Sequence, residues 1–209
     1  MDDSKNAIVP NKTTKYVATW KEDTNHDNKP DEDQYVTLTF ESAYGFTEGD
    51  SPQTMENQVP NLAFQAPTPV DTDTDKVVFV GWDKGLDKSG KGTVPGEDTT
   101  YTAQYKADEN NDGVADEEQY VDVTFAIAEE DAAKGTLKGE TSYTDLVPGL
   151  GLTVPTVMDT EGDDWAFAGW KPDLTMDDSK NAIVPNKTTK YVATWKDDKN
   201  HNNNPDEDE

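Results

Sequence analysis

Residues 176–195 read Met176-Asp-Asp-Ser-Lys-Asn-Ala-Ile-Val-Pro-Asn-Lys-Thr-Thr-Lys-Tyr-Val-Ala-Thr-Trp195, and residues 1–20 repeat the same twenty letters. A match of that length marks a tandem array of small units. The end of the stretch, Tyr191 to Trp195, places Tyr, Ala and Trp on one side of a strand, with Val and Thr on the other. The same pattern stands at Tyr101 to Tyr105 and at Tyr16 to Trp20. We read it as the closing strand of a repeat. On that reading residues 1–21 are the tail of a repeat, and Tyr16 to Trp20 is an orphan strand with a bare edge.

Two further strands recur ahead of each closing strand. Val36, Leu38 and Phe40 alternate with polar residues, as do Val121, Val123 and Phe125. That period of two marks a half-buried strand. An aromatic strand ending in Gly-Trp spans Val77 to Trp82 and again Trp165 to Trp170. Its Gly81 and Gly169 are expected to admit a close neighbour. A further strand is expected within Gly135 to Tyr143, followed by the Pro- and Gly-rich stretch Val147 to Pro155. The corresponding stretch of the other repeat is Val59 to Pro67. The chain then divides into a repeat tail (1–21), a linker (22–34), a repeat (35–106), a linker (107–119), a second repeat (120–196) and a third linker (197–209).

Composition narrows the function. Of 209 residues 32% are apolar, the net charge is −26, and there is neither Cys nor Arg. Disulfides therefore cannot support these small cores, whereas bound cations can. Phosphate binding needs clustered Lys and Arg, so nucleic acid and anionic membrane surfaces are excluded as partners. No stretch reaches the roughly 18 apolar residues of a membrane span. Absence of Cys suits a reducing cytosol or a Gram-positive cell surface equally.

The linkers carry the acid, six Asp or Glu in each. Such charge runs are commonly plain solvated spacers, but these share a pattern. Counting from Asp23, Asp108 and Asp198, side-chain oxygens fall at positions 1, 3, 5 and 9. The first loop supplies Asp23, Asn25, Asp27 and Asp31. The second supplies Asp108, Asn110, Asp112 and Asp116, and the third Asp198, Asn200, Asn202 and Asp206. Position 6 is Asn28, Gly113 or Asn203, residues that tolerate a left-handed turn. Position 7 (Lys29, Val114 or Asn204) would offer its backbone carbonyl. A calcium loop has this spacing. The departure is position 12, where a bidentate Glu is usual but Gln34 and Gln119 stand, and only Glu209 conforms. Without flanking helices the loops are not EF-hands; they are similar to the Asp/Asn-rich loops of thrombospondin type 3 repeats. Calcium is the expected cofactor, bound weakly, at roughly 0.1–1 mM.

Nothing resembles a catalytic constellation. His26 and His201 both stand at loop position 4, where solvation is the expectation. Asn11-Lys-Thr13 and Asn186-Lys-Thr188 match the short glycosylation pattern. Lys5 and Lys180 lie near Asn and are candidates for a self-catalysed crosslink by composition alone. No enzyme is expected.

The repeats resemble the Listeria–Bacteroides repeat, the B-repeat of internalins. The residues that carry the likeness are Val121 to Phe125, Gly135-Thr-Leu-Lys-Gly-Glu-Thr-Ser142, Val154-Pro155, Phe167-Ala-Gly-Trp170 and Tyr191 to Trp195. The first repeat keeps Phe79-Val-Gly-Trp82 and Tyr101 to Tyr105 but lacks the Gly-Thr-Leu segment. The resemblance implies an α+β, mainly β class: tandem β-grasp (ubiquitin-like) repeats, each a small mixed sheet packed on one short helix. It also implies a secreted or cell-wall protein of a bacterium, with the repeats forming an adhesin stalk. The acidic linkers and their calcium are not part of that family pattern. The rival expectation is a repeat module that itself binds a host protein or glycan.

Overall fold

The computed structural model describes residues 11–71 and 74–208. Each repeat is a four-stranded mixed sheet. In the first, β1 (Val36–Glu41), β2 (Gln53–Gln58), β4 (Val77–Trp82) and β6 (Thr99–Ala107) lie in the order β2-β1-β6-β4. In the second, β7 (Val121–Ala126), β9 (Ser142–Leu146), β11 (Trp165–Lys171) and β12 (Thr189–Asp197) lie in the order β11-β12-β7-β9. The first and last strands of each repeat run parallel at the centre, with Phe40 beside Tyr101 and Phe125 beside Tyr191. The outer pairs are antiparallel.

The alternating residues of the first strands become the core. Leu38, Phe40 and Val123 are fully or almost fully buried. Phe40 stacks on Tyr101 at 5.6 Å and Phe125 on Tyr191 at 5.3 Å, and the Gly-Trp indole meets each Phe edge-on, Trp82 at 5.5 Å and Trp170 at 4.9 Å. Offset and edge-to-face ring pairs each add about 0.5–1.5 kcal/mol beyond area burial. The aromatic residues Phe40, Trp82, Tyr101, Phe125, Trp170 and Tyr191 are thus core.

Several sequence expectations change. The class is mainly β, as expected, but without the helix: among the described residues there is no α-helix, only single 3-10 turns. Where a helix was expected, Pro60, Pro67 and Pro69, or Pro148 and Pro155, remove donors and force extended backbone. In the first repeat a short strand lies in that stretch, whereas in the second Val147 to Pro155 holds a turn and an isolated bridge at Gly151. β3 (Ala63–Gln65) pairs with β5 (Lys91–Thr93), and β8 (Gly135–Lys138) pairs with β10 (Thr156–Asp159). The strand expected across 135–143 is therefore two, broken at Gly139, whose φ of +116° only Gly adopts readily. Gly81 and Gly169 do not admit a close neighbour. An added Cβ would meet nothing nearer than 3.6 Å at Gly81 and nothing within 4 Å at Gly169. They sit at bulges in the pairing with β6 and β12, with φ of +141° and +127°.

The duplicated stretch has two fates. Tyr191 to Trp195 is the middle of β12. Tyr16 to Trp20 forms no strand, and Tyr16, Val17 and Trp20 are exposed. Lys5, with the rest of residues 1–10, lies outside the described residues, as does Glu209. Among the described residues no helix is long and apolar enough to cross a membrane.

Two substitutions probe this packing. A Cβ at Gly135 would lie 2.5 Å from Trp195 Cη2 and 2.7 Å from the Met158 carbonyl oxygen. Gly135→Val is expected to destabilise the second repeat by about 1–3 kcal/mol through overpacking. Leu38→Ala is expected to cost the first repeat about 2–5 kcal/mol by opening a cavity. Urea denaturation of the full chain, followed by tryptophan fluorescence, measures both.

Candidate cation loops at the repeat junctions

Backbone geometry makes the three linkers alike. Position 4 has positive φ in each (His26 +59°, Asn111 +55°, His201 +58°), and so does position 6 (Asn28 +68°, Gly113 +80°, Asn203 +62°). Two left-handed residues so close together fold the chain back on itself. The backbone N–H groups of positions 5 and 6 then reach the carboxylate at position 1. Asp27 and Asn28 donate to Asp23 at 3.1 and 3.0 Å, and Asp112 and Gly113 to Asp108 at 3.0 and 2.9 Å. Asn202 and Asn203 donate to Asp198 at 3.1 and 2.8 Å. Asp108 and Asp198 are buried, which is tolerable because the carboxylates accept these bonds.

The oxygens of positions 3 and 5 turn to the same interior. Asn25, Asn110 and Asn200 accept from the N–H of position 5, at 3.2, 3.3 and 3.2 Å. Asp27, Asp112 and Asn202 accept from the N–H of position 7, at 2.9, 2.9 and 2.8 Å. That last bond holds the Asp112 carboxyl below its ordinary value. Asp27 is also lowered: burial pushes it up, but the bonds from Lys29 and Gln34 outweigh that.

Position 9 does something the spacing did not suggest. Asp31, Asp116 and Asp206 point at the N–H of position 2 (Thr24, Glu109 and Lys199), at 3.0, 3.0 and 3.3 Å. Asp31 and Asp116 are buried. They tie the two ends of the loop together instead of facing its interior. Positions 1, 3, 5 and 7 are brought together; position 9 is not.

Position 12 enters that interior. Gln34 Nε2 donates to Asp27 Oδ1 at 3.2 Å and to the Lys29 carbonyl at 3.4 Å. Gln119 does the same to Asp112 Oδ1 and the Val114 carbonyl, both at 3.2 Å. Both accepting groups are oxygens that a calcium loop turns on its ion. Among the described residues no three His, Cys, Asp or Glu side chains converge as a metal site. The donor set of each of the first two loops is two carboxylates at most, completed by an Asn amide oxygen, a backbone carbonyl and the position-12 side chain. Oxygen donors of that kind suit a hard cation, and their low charge suits weak binding.

The loops also grip the repeats on either side. Asn25 Nδ2 donates to the Pro60 carbonyl at 3.1 Å, and Asn110 Nδ2 to the Pro148 carbonyl at 3.0 Å. Position 3 therefore joins its linker to the Val-Pro turn of the repeat that follows. Toward the preceding repeat, Asp108 N–H donates to Lys76 O at 2.9 Å and Asp198 N–H to Asp164 O at 2.8 Å. Ion pairs link Lys21 to Glu32, Lys106 to Glu117 and Lys196 to Glu207. These pairs recur at one spacing, so aligning the three linkers with their flanking strands would have revealed them. The Asn–Pro bonds had no such signal. His26 is exposed, and His201 Nε2 lies 3.0 Å from Asp164 Oδ1 at the surface.

Two outcomes are expected. Asn110→Ala removes the bond to Pro148 and should cost about 0.5–1.5 kcal/mol; hydrogen exchange at Gly149 and Leu150 should quicken while the β7 core is unchanged. The Asp112 carboxylate should titrate below the ordinary aspartate value because it accepts the Val114 N–H, a shift followed through the Val114 amide resonance. Its folded value is lowered, so its contribution to stability is present above the unfolded value and is lost as pH falls through the folded one.

Compared with known proteins, the chain matches no family and no curated protein. Among solved structures it is similar to Streptococcal High Identity Repeats in Tandem (SHIRT) domains 3-4 from a cell surface protein. The identity is 14%, over 78% of this chain and 98% of that chain, with a TM-score of 0.29. So slight a superposition assigns neither fold nor function.

Proposed function

We propose that this chain is a structural, non-enzymatic spacer: a stretch of repeat stalk from a bacterial cell-surface adhesin, its junctions clamped by acidic loops that take calcium. The observation that carries the reading is the repeated junction. The linker 107–119 grips the preceding repeat by its backbone and the following one by an Asn side chain, and with the same internal bonds the linker 22–34 repeats the second contact and the linker 197–209 the first. A linker built only to be flexible needs none of these contacts. The sheet order, with first and last strands parallel at the centre, supports reading each repeat as a β-grasp variant without the helix. The surface location rests on the internalin-repeat resemblance of the strand motifs.

Calcium fits the loops once the position-12 amide is turned. A half-turn of the terminal amide exchanges Nε2 for Oε1. An oxygen there would stand about 3.2–3.4 Å from Asp27 Oδ1 and the Lys29 carbonyl. Adjacent oxygens of an ion coordinated at about 2.4 Å are separated by about that distance. Asp23, Asn25, Asp27, Lys29 O and Gln34 would hold the ion in the first loop. Asp108, Asn110, Asp112, Val114 O and Gln119 would hold it in the second. The ion offsets the crowding of six acids per linker.

Calorimetric titration with calcium should show binding at roughly 0.1–1 mM. Gln119→Glu, which supplies the usual carboxylate, should tighten it, and Asp112→Asn should weaken it. Small-angle scattering should report a less flexible particle with calcium than with a chelator. Absence of heat, together with unchanged melting and scattering after chelation, would remove calcium from the proposal. Equal flexibility of Asn110→Ala and the unmodified chain would remove the clamped junction.

A further inference from the structure

We infer that the outer edge of β4 is a latent self-pairing surface, held closed by the Asp71 side chain, and that the partner it fits is β4 of a second copy of this chain. The inference rests on the edges of the sheets and is independent of calcium and of the spacer reading.

β4 and β11 stand at the ends of their sheets, each with a single ladder neighbour. An outer strand presents N–H and C=O groups on which another chain can build. The other two outer strands, β2 and β9, are interrupted by bulges, with Asn57 and Asp145 at positive φ. They also carry Glu56 and Asp145. β4 differs: it reads Val77-Val-Phe-Val-Gly-Trp82, with neither charge nor Pro. Short apolar segments of that kind are the ones that pair with their own copies. Its composition does not close this edge, so its surroundings must.

Two bonds do so. The Phe79 N–H turns away from β6 and donates to Asp71 Oδ1 at 2.6 Å. Past the Gly81 bulge, the Trp82 N–H donates to the Leu86 carbonyl at 3.1 Å. The second bond is made by the turn that continues from the strand itself. The first is made by a side chain arriving from the crossover, at the middle of the strand. A carboxylate there occupies the N–H and sets a negative charge where the carbonyl of an incoming strand would approach. The second repeat has the same residue type in the same place. Asp159 lies beside the N–H of Phe167, the counterpart of Phe79; burial raises its carboxyl and that N–H opposes the rise.

A second copy is the partner because the edge is complementary to itself. In an antiparallel register centred on Phe79, each Phe79 exchanges both backbone bonds with its twin. With the Gly81 bulge counted as one position, Lys76 of each strand falls opposite Asp83 of the other, so the flanking charges attract. A two-fold pair of this kind closes on itself as a dimer.

The test removes the cap in the full chain. Asp71→Ala deletes the acceptor, whereas Asp71→Asn keeps an amide oxygen that can accept the Phe79 N–H. Light scattering after size exclusion is run at about 0.15 M salt, which screens charges beyond about 8 Å. The unmodified chain and Asp71→Asn should show the monomer mass at every concentration. Asp71→Ala should rise to twice that mass as concentration increases. Its Phe79 amide should exchange faster than in the unmodified chain when dilute, and regain protection as the dimer forms. Adding Lys76→Asp sets carboxylates face to face and should return Asp71→Ala to the monomer; Lys76 has φ of +52°, which Asp tolerates. A dimeric unmodified chain, an Asp71→Ala chain that stays monomeric, or an Asp71→Asn chain that pairs like it would overturn the inference. So would association that Lys76→Asp leaves untouched, unlimited aggregation of a misfolded chain included.

Discussion

Everything in each repeat hangs on one non-local pairing, the parallel contact between its first strand and its last. β1 and β6, or β7 and β12, lie side by side at the centre of the sheet, and the ring stacks Phe40–Tyr101 and Phe125–Tyr191 sit on that seam. A parallel pair cannot be closed by a tight turn, so the intervening chain must cross over before the sheet exists. That chain supplies the two antiparallel outer strands and the short ribbon. With no disulfide and a small core, the aromatic seam is what holds a unit of this size together.

The seam also sets the junction. Because the last strand is central, the chain leaves each repeat from the middle of its sheet, beside the start of the Gly-Trp strand. The linker therefore begins against Lys76 or Asp164, and the backbone N–H of position 1 binds there. From that fixed start, two left-handed residues and a buried Asp carry the chain to the next first strand. The Asn at position 3 meets the next Val-Pro turn on the way. A linker that satisfies its own carboxylates with its own N–H groups is ordered despite its charge, because each acid that would repel its neighbours is instead an acceptor.

The periodicity of Val36 to Phe40 and Val121 to Phe125, the Gly-Trp strands and the closing strands were all legible in the sequence, since alternation reports which face is buried. The left-handed turn at position 6 was legible too, since Asn and Gly favour it. The helix implied by resemblance was not there, because the prolines of the crossover outweigh the family pattern. The role of position 9 was hidden, because an Asp spaced like a ligand is chemically the same Asp when it binds a backbone N–H. The Asn–Pro contacts were hidden because they join residues 35 and 38 positions apart.

The duplicated twenty residues separate the two kinds of information most cleanly. By itself the sequence determined that Tyr16 to Trp20 and Tyr191 to Trp195 have one and the same capacity: a strand with an aromatic face. Only the tertiary structure decided that one of them is a strand. β12 has β7 on one side and β11 on the other to satisfy its backbone, and Phe125 to cover its tyrosine. Among the described residues Tyr16 to Trp20 has neither neighbour, and Tyr16, Val17 and Trp20 remain in water. A helix carries its hydrogen-bond partners within itself; a strand must find them elsewhere in the fold, so its sequence states a capacity and its neighbours decide the outcome.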